Sequence, residues 1–244
     1  LWVLLAVPES LPKEKRSSFR CTITLNPLAP FSLLKQSSLL RIIALIVFFT
    51  SLPETGVVEI ALYYLDSQLG LVSQSSASEE YNISVLLVVG ITFLMTQFVI
   101  LRIAKCCLSN FKILIIGVIF NALHMLTYAS VHFFRYAVLG YIAQVLAGIC
   151  FLQGTAANAI ISEHFGFQEQ GLALGTISSA KTLTGTFGPI LFGFLYGEFS
   201  NGVEACPLPS NSSTPGVARV DIPELPFLIG AFLALIGLIP SSVC

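Results

Sequence analysis

Charge is what this 244-residue sequence has least of: Asp, Glu, Lys and Arg together make up 10% of it, against roughly a quarter in soluble domains. Water is therefore not the chain's main solvent, and no stretch is polar enough to build a sizeable soluble domain. Histidine is scarce as well, with only His124, His132 and His164. No Gly-x-Ser-x-Gly, His-Glu-x-x-His or phosphate-loop pattern occurs, so a membrane-embedded enzyme is disfavoured, and neither an enzymatic role nor a cofactor is expected. The six cysteines, at 21, 106, 107, 150, 206 and 244, lack the paired short spacings of a zinc site or a disulfide framework, and no metal is expected. Cys106 and Cys107 adjoin a predicted span, where palmitoylation is conceivable, although packing is the commoner fate of such residues. A formal net charge of −1 gives no general pull towards nucleic acid.

What is present is apolar length. Hydrophobic residues make up 55% and mean hydropathy is +0.86, and stretches near the ~20 apolar residues that a helical crossing needs recur from end to end. Six spans are predicted, at about 39–65, 83–104, 111–131, 133–161, 171–199 and 225–243. The fold class is thus all-α and polytopic, with a six-helix membrane domain over 39–244. The apolar run 1–7 is too short to cross and reads as the end of a truncated preceding helix. Residues 8–38 carry Pro8, Pro12, Pro27 and Pro30 among basic residues and read as an inter-domain linker.

Orientation follows from the basic residues, which cytoplasmic loops retain. Lys13, Lys15, Arg16, Arg20, Lys35, Arg41, Arg102, Lys105 and Lys112 fall on one side, and only Arg135 and Arg219 on the other. The linker and the carboxyl terminus are therefore expected to be cytoplasmic, in the plasma membrane or an endomembrane. Two glycosylation sequons, at Asn82 and Asn211, fall in loops that this assignment puts outside or in the lumen. Asn211, in the long Pro/Ser-rich loop, is the better acceptor.

A charged side chain at mid-depth costs at least about 2.5 to 3.5 kcal/mol on insertion scales, so Glu54, Glu59 and Lys181 require partners or water. Glu54 follows Pro53, whose missing donor is expected to kink the first span over 51–56 and open a polar point there. Glu59 lies about 140 degrees around an ideal helix from Glu54, so one of the two is expected to face a central pathway. Lys181, amid Ser178, Ser179, Thr182 and Thr184, is the expected partner of Glu54. The plainer reading of the trio is a buried structural ion pair with one snorkelling carboxylate. If functional, a carboxylate beside an amine can trade its partner for a proton or a charged substrate.

On the fourth span Gln144, Gly148, Phe151, Thr155, Asn158 and Ser162 share one helical face, either a packing seam or a cavity wall. Gln97, Asn121 and His124 carry the same two readings, and His124 is expected to be a hydrogen-bonded bundle residue. The fifth span contains the small-residue spacings Gly171/Gly175 and Gly193/Gly197, and a Gly185, Gly188, Pro189 hinge. Tight helix packing and a rocking motion are both compatible with it.

The segment Pro8-Glu9-Ser10-Leu11-Pro12 resembles the exit of helix six in major facilitator superfamily transporters, and the linker plus six spans resembles their second half. More narrowly, Leu52-Pro53-Glu54-Thr55-Gly56, Gln170-Gly171 and the run from Gly188-Pro189 to Gly193 resemble the hippocampus-abundant-transcript-like branch, related to bacterial tetracycline/proton antiporters. The basic loop 102–112 departs from the superfamily's Gly/Asp/Arg gating signature. The resemblance implies that spans one and four line a cavity, which ranks Glu54, Gln97, Asn158 and Lys181 above Asn121 and His124. It also implies a missing amino-terminal six-helix half, without which the chain is not expected to transport. The function implied is secondary active transport of a small organic solute by alternating access, with proton coupling. The alternative is a non-transporting receptor or assembly partner derived from a transporter.

Overall fold

The computed structural model describes residues 34–35, 37–71, 75–200 and 222–239. Helix α1, Ser38–Leu69, starts where the Ser37 hydroxyl accepts the Leu40 N–H (3.3 Å) and stops at Gly70, whose φ of 69° ends a right-handed helix. The second rod is α2, Ser75–Met95, a π-helical turn Thr96–Ile100, and α3, Leu101–Cys107. Then come α4, Asn110–Phe134, α5, Ala137–Cys150, α6, Leu152–His164, α7, Phe167–Phe199, and α8, Leu225–Ile236.

These rods occupy the six predicted positions, and the chain is an all-α polytopic membrane protein. Four rods are long and apolar enough to cross a bilayer: Ser38–Leu69, Ser76–Cys107, Asn110–Phe134 and Ala137–His164. The 33-residue α7 has the length, about 50 Å at 1.5 Å per residue, but glycine, serine and threonine dilute its apolar character. Helix α8 is apolar but has 12 residues; 240–244 lie outside the described residues, as do 1–33 with most of the predicted linker, and Asn211.

Three local expectations change. The first span is helical throughout, Pro53 included, so the expected interruption does not divide it: a proline deletes one helical bond, here the one to the Phe49 carbonyl, and leaves the rest of the ladder in place. The second helix begins near Ser75 rather than at 83, so Asn82 stands inside a helix and not in a loop. Its amide nitrogen, the atom a glycan would occupy, donates to Asp66 Oδ2 (2.9 Å), which also accepts from Ser78 (2.7 Å). The fourth span comprises two helices, α5 and α6, that meet at Phe151, itself in right-handed helical geometry (φ −58°, ψ −15°).

Helix α7 packs along α1, α4 is flanked by α5, α6 and α8, and α2 leans on α5. Small residues set the closest approaches. A Cβ on Gly148 would lie 2.5 Å from the Thr92 side chain, and one on Gly56 2.5 Å from Phe192, so the packing reading holds for Gly148. The seams expected on α7 are different: a Cβ at Gly171, Gly175, Gly193 or Gly197 would meet nothing within 4 Å, so this chain's described residues leave that face open.

The apolar interior has two parts. One holds Leu40, Ile43, Val47, Ile113, Leu114, Ile160 and Ile177. The other holds Val57, Tyr64, Met125, Tyr128, Phe192 and Phe227. Between them, at the level of residues 50–54 of α1, lie the buried polar side chains of Thr50, Asn121, Gln153 and Thr184. A buried polar group costs free energy unless bonded, so a polar layer between two apolar cores marks the level at which a site is to be sought. Elsewhere, polar ties are structural: Gln144 donates to the Tyr128 hydroxyl at 2.7 Å. Gln144→Leu is expected to lower stability by about 1 to 2 kcal/mol, read as a fall in unfolding temperature of the detergent-purified protein, without altering solute affinity.

Candidate functional site

The polar layer opens into a cavity of about 450 Å³ walled by α1, α6 and α7, with Leu114 of α4 and Phe151 completing it. Helix α1 supplies Thr50, Ser51, Glu54, Thr55, Val58 and Glu59; α6 supplies Gln153 and Gly154; α7 supplies Lys181, Gly185 and Pro189. The pairs Thr50/Glu54 and Ser51/Thr55 are each one turn apart, which aims their polar groups the same way from a helix whose other faces are packed.

Glu54 is held from across the cavity, its Oε2 accepting from Gln153 Nε2 at 3.1 Å. Lys181 acts on Glu54 electrostatically, yet no ion pair within 4.0 Å joins them among the described residues. The lysine reaches α6 instead: its Nζ lies 3.0 Å from where a Cβ on Gly154 would stand. Glycine at 154 makes room for the ammonium, and Gln153 beside it holds the carboxylate. In place of the expected direct Glu54–Lys181 pair, the carboxylate bonds Gln153 and the ammonium lies against Gly154, in one cluster drawn from three helices. Thr55 braces the wall behind, its hydroxyl 3.0 Å from the Thr184 carbonyl.

Glu59 lines the same cavity and is exposed. The expectation that only one of Glu54 and Glu59 faces a pathway is corrected: the cavity wraps far enough around α1 to take in both, with Thr55 and Val58 between them. Of the hinge residues, Gly185 and Pro189 line the cavity, while Pro53 and Gly188 are buried beside it.

The other sequence candidates stand elsewhere. Gln97, carried on the π-helical turn, accepts from the Thr155 hydroxyl at 3.2 Å; Gln144 ties α5 to α4; Asn158 is on an exposed face of α6. None of these lines the cavity. Asn121 is fully buried and donates to the Thr50 carbonyl at 3.1 Å, behind the wall, and His124 packs edge-on against Tyr128 at 5.0 Å. Sequence reasoning missed Gln153, Gly154, Thr50 and Ser51. The spacing of four and three residues from Thr50 and Ser51 to Glu54 was the available signal for α1; for α6 the sequence carried no such signal.

The arrangement offers a carboxylate, an ammonium, an amide and hydroxyls on three helices around an amphipathic space inside the membrane. Such a set has the polar and apolar groups to hold a ligand with both kinds of part.

No family model matches the chain. It is 29% identical over 240 residues to "Hippocampus abundant transcript-like protein 1" of Homo sapiens, covering 97% of this chain and 46% of that protein. It is 27% identical over 249 residues to "Hippocampus abundant transcript 1 protein" of Mus musculus, covering 98% of the chain and 49% of the relative. The chain spans about half the length of the curated relatives it matches, and the similarity extends over nearly all of it.

Proposed function

We propose that this chain forms one six-helix half of a major facilitator transporter, which moves a small organic solute across the membrane by alternating access with proton coupling. The observation that carries this reading is the cavity around Glu54, Gln153 and Lys181, near the middle of the long apolar helix α1. A solute site in such transporters lies near the bilayer midplane between two halves, and this cavity is open on one side. The proposed partner is a second six-helix unit, seated against the open faces of α7 and α2. The relatives' greater length supports that reading. The distribution of basic residues supports a cytoplasmic linker and carboxyl terminus.

In the proposed cycle Glu54 exchanges its bond to Gln153 and the field of Lys181 for a proton, and the solute leaves or enters as the charge balance of the cavity changes. The protein at its native length, reconstituted in liposomes, is expected to accumulate some members of a panel of small organic solutes when a pH gradient is imposed, and to stop when the gradient is collapsed by a protonophore. Failure of a well-folded protein to move any of the panel would favour the receptor or assembly-partner reading.

A further inference from the structure

We infer that the cavity takes an amphipathic organic cation, and that Glu59 is the carboxylate that recognises its charge. The inference rests on the transport reading above and adds to it the sign of the substrate's charge and the residue that reads it.

Three formally charged side chains line the cavity: Glu54, Glu59 and Lys181. Two of them answer each other. Glu54 is bonded to Gln153 and lies in the field of Lys181, while the Lys181 ammonium sits against Gly154. Glu59 is left over, with no ion pair and no side-chain hydrogen bond among the described residues. It stands ten residues before the end of α1 at Leu69, about 15 Å along the helix, well inside the apolar part of the span. An ionisable side chain at that depth faces a water-filled cavity or a charged partner, and Glu59 faces the cavity. With Glu54 ionised, the described lining of the cavity thus carries one uncompensated negative formal charge.

The rest of the lining says what kind of cation fits. A bare metal ion demands several oxygen ligands around it, but Val58, Phe151, Pro189, Ile46, Val47 and Leu114, which share the lining, supply hydrocarbon. Apolar walls with one carboxylate suit a cation embedded in an apolar body. Phe151, 38% exposed, adds an aromatic surface of the kind that attracts organic cations. An anion would meet Glu54 and Glu59 with Lys181 alone in its favour, and a neutral solute would leave Glu59 uncompensated.

The test uses two probes of the same shape and opposite charge, tetraphenylphosphonium and tetraphenylborate, measured by equilibrium dialysis against the native-length protein in nanodiscs, with empty nanodiscs subtracted. Saturable binding of the phosphonium and none of the borate is expected. Glu59→Gln should weaken phosphonium binding by about tenfold or more, the equivalent of about 1.4 kcal/mol. Glu59→Asp should retain most of the affinity, and Glu59→Lys should turn the preference towards the borate. Equal binding of both ions overturns the inference, as does unchanged affinity in a Glu59→Gln protein with wild-type unfolding temperature. If neither ion binds, the cation assignment falls, while the transport reading is judged separately by whether the pH gradient drives uptake of neutral or anionic members of the solute panel.

Discussion

Glu54→Gln is expected to reduce proton-driven solute accumulation in liposomes to the level of protein-free vesicles, while solute-for-solute exchange without a gradient continues within a few-fold of wild type. Glutamine is nearly isosteric and keeps an oxygen that can accept from Gln153, now at 3.1 Å from the carboxylate, so the wall should keep its shape. What disappears is the only group in the cluster that both carries a proton and stands between an amide on α6 and an ammonium on α7. Coupling needs a site whose charge changes during the cycle; exchange of one solute for another does not. Loss of both activities in a folded protein would make Glu54 part of solute binding rather than of coupling. Retention of both would make the cluster a structural ion arrangement of the kind that ties helices together.

The second large effect concerns the crossing of α1 and α7. A side chain at Gly188 would put its Cβ against the Thr55 hydroxyl and 2.7 Å from the backbone carbonyl of Leu52. A backbone atom moves only with its helix, so Gly188→Val is expected to separate the two helices and to break the contact of Thr55 with the Thr184 carbonyl. Overpacking of this kind costs about 1 to 3 kcal/mol and occasionally more; loss of the bond makes the upper end appropriate. For a domain of this size about 3 kcal/mol corresponds to a fall of roughly 6 to 12 °C in unfolding temperature, measurable by thermal scanning in detergent. Gly193→Ala is the contrasting variant. Nothing lies within 4 Å of its Cβ, and alanine is a better helix former than glycine by about 1 kcal/mol, so its unfolding temperature should stay the same or rise. A wild-type temperature for Gly188→Val would show that the close crossing is not under steric constraint.

Much of the fold was legible because the bilayer imposes a one-dimensional rule. Apolar length alone locates a crossing, and six rods stand where six apolar runs were read. The ends were less legible, since Asn82 and its neighbours are polar and still helical: the Asn82 amide nitrogen and the Ser78 hydroxyl both donate to Asp66 of α1. Proline at 53 was read as an interruption, but it removes a single backbone donor, and α1, packed along α7, continues through it.

The candidate site was legible in its charges and not in its partners. Glu54, Glu59 and Lys181 announce themselves because ionised groups are expensive in hydrocarbon, and that expense is a property of residue type and position in a span. Which neutral groups meet them is a property of helix rotation and spacing. Gln97, Gln144 and Asn158 have the same chemistry as Gln153, yet Gln97 meets Thr155, Gln144 meets Tyr128 and Asn158 is exposed, while Gln153 meets Glu54.

Membrane character, the number and order of the apolar helices, and the three intramembrane charges were determined by the sequence itself, because each depends on local composition against the fixed thickness and low polarity of the bilayer. Tertiary structure alone decided that Glu54 bonds Gln153 rather than Lys181, that Gly154 provides the space for the ammonium, that Glu59 shares the cavity, and that the small-residue face of α7 is left open by the described residues. Those outcomes depend on how helices distant in sequence are rotated and how closely their backbones approach, which no single helix specifies.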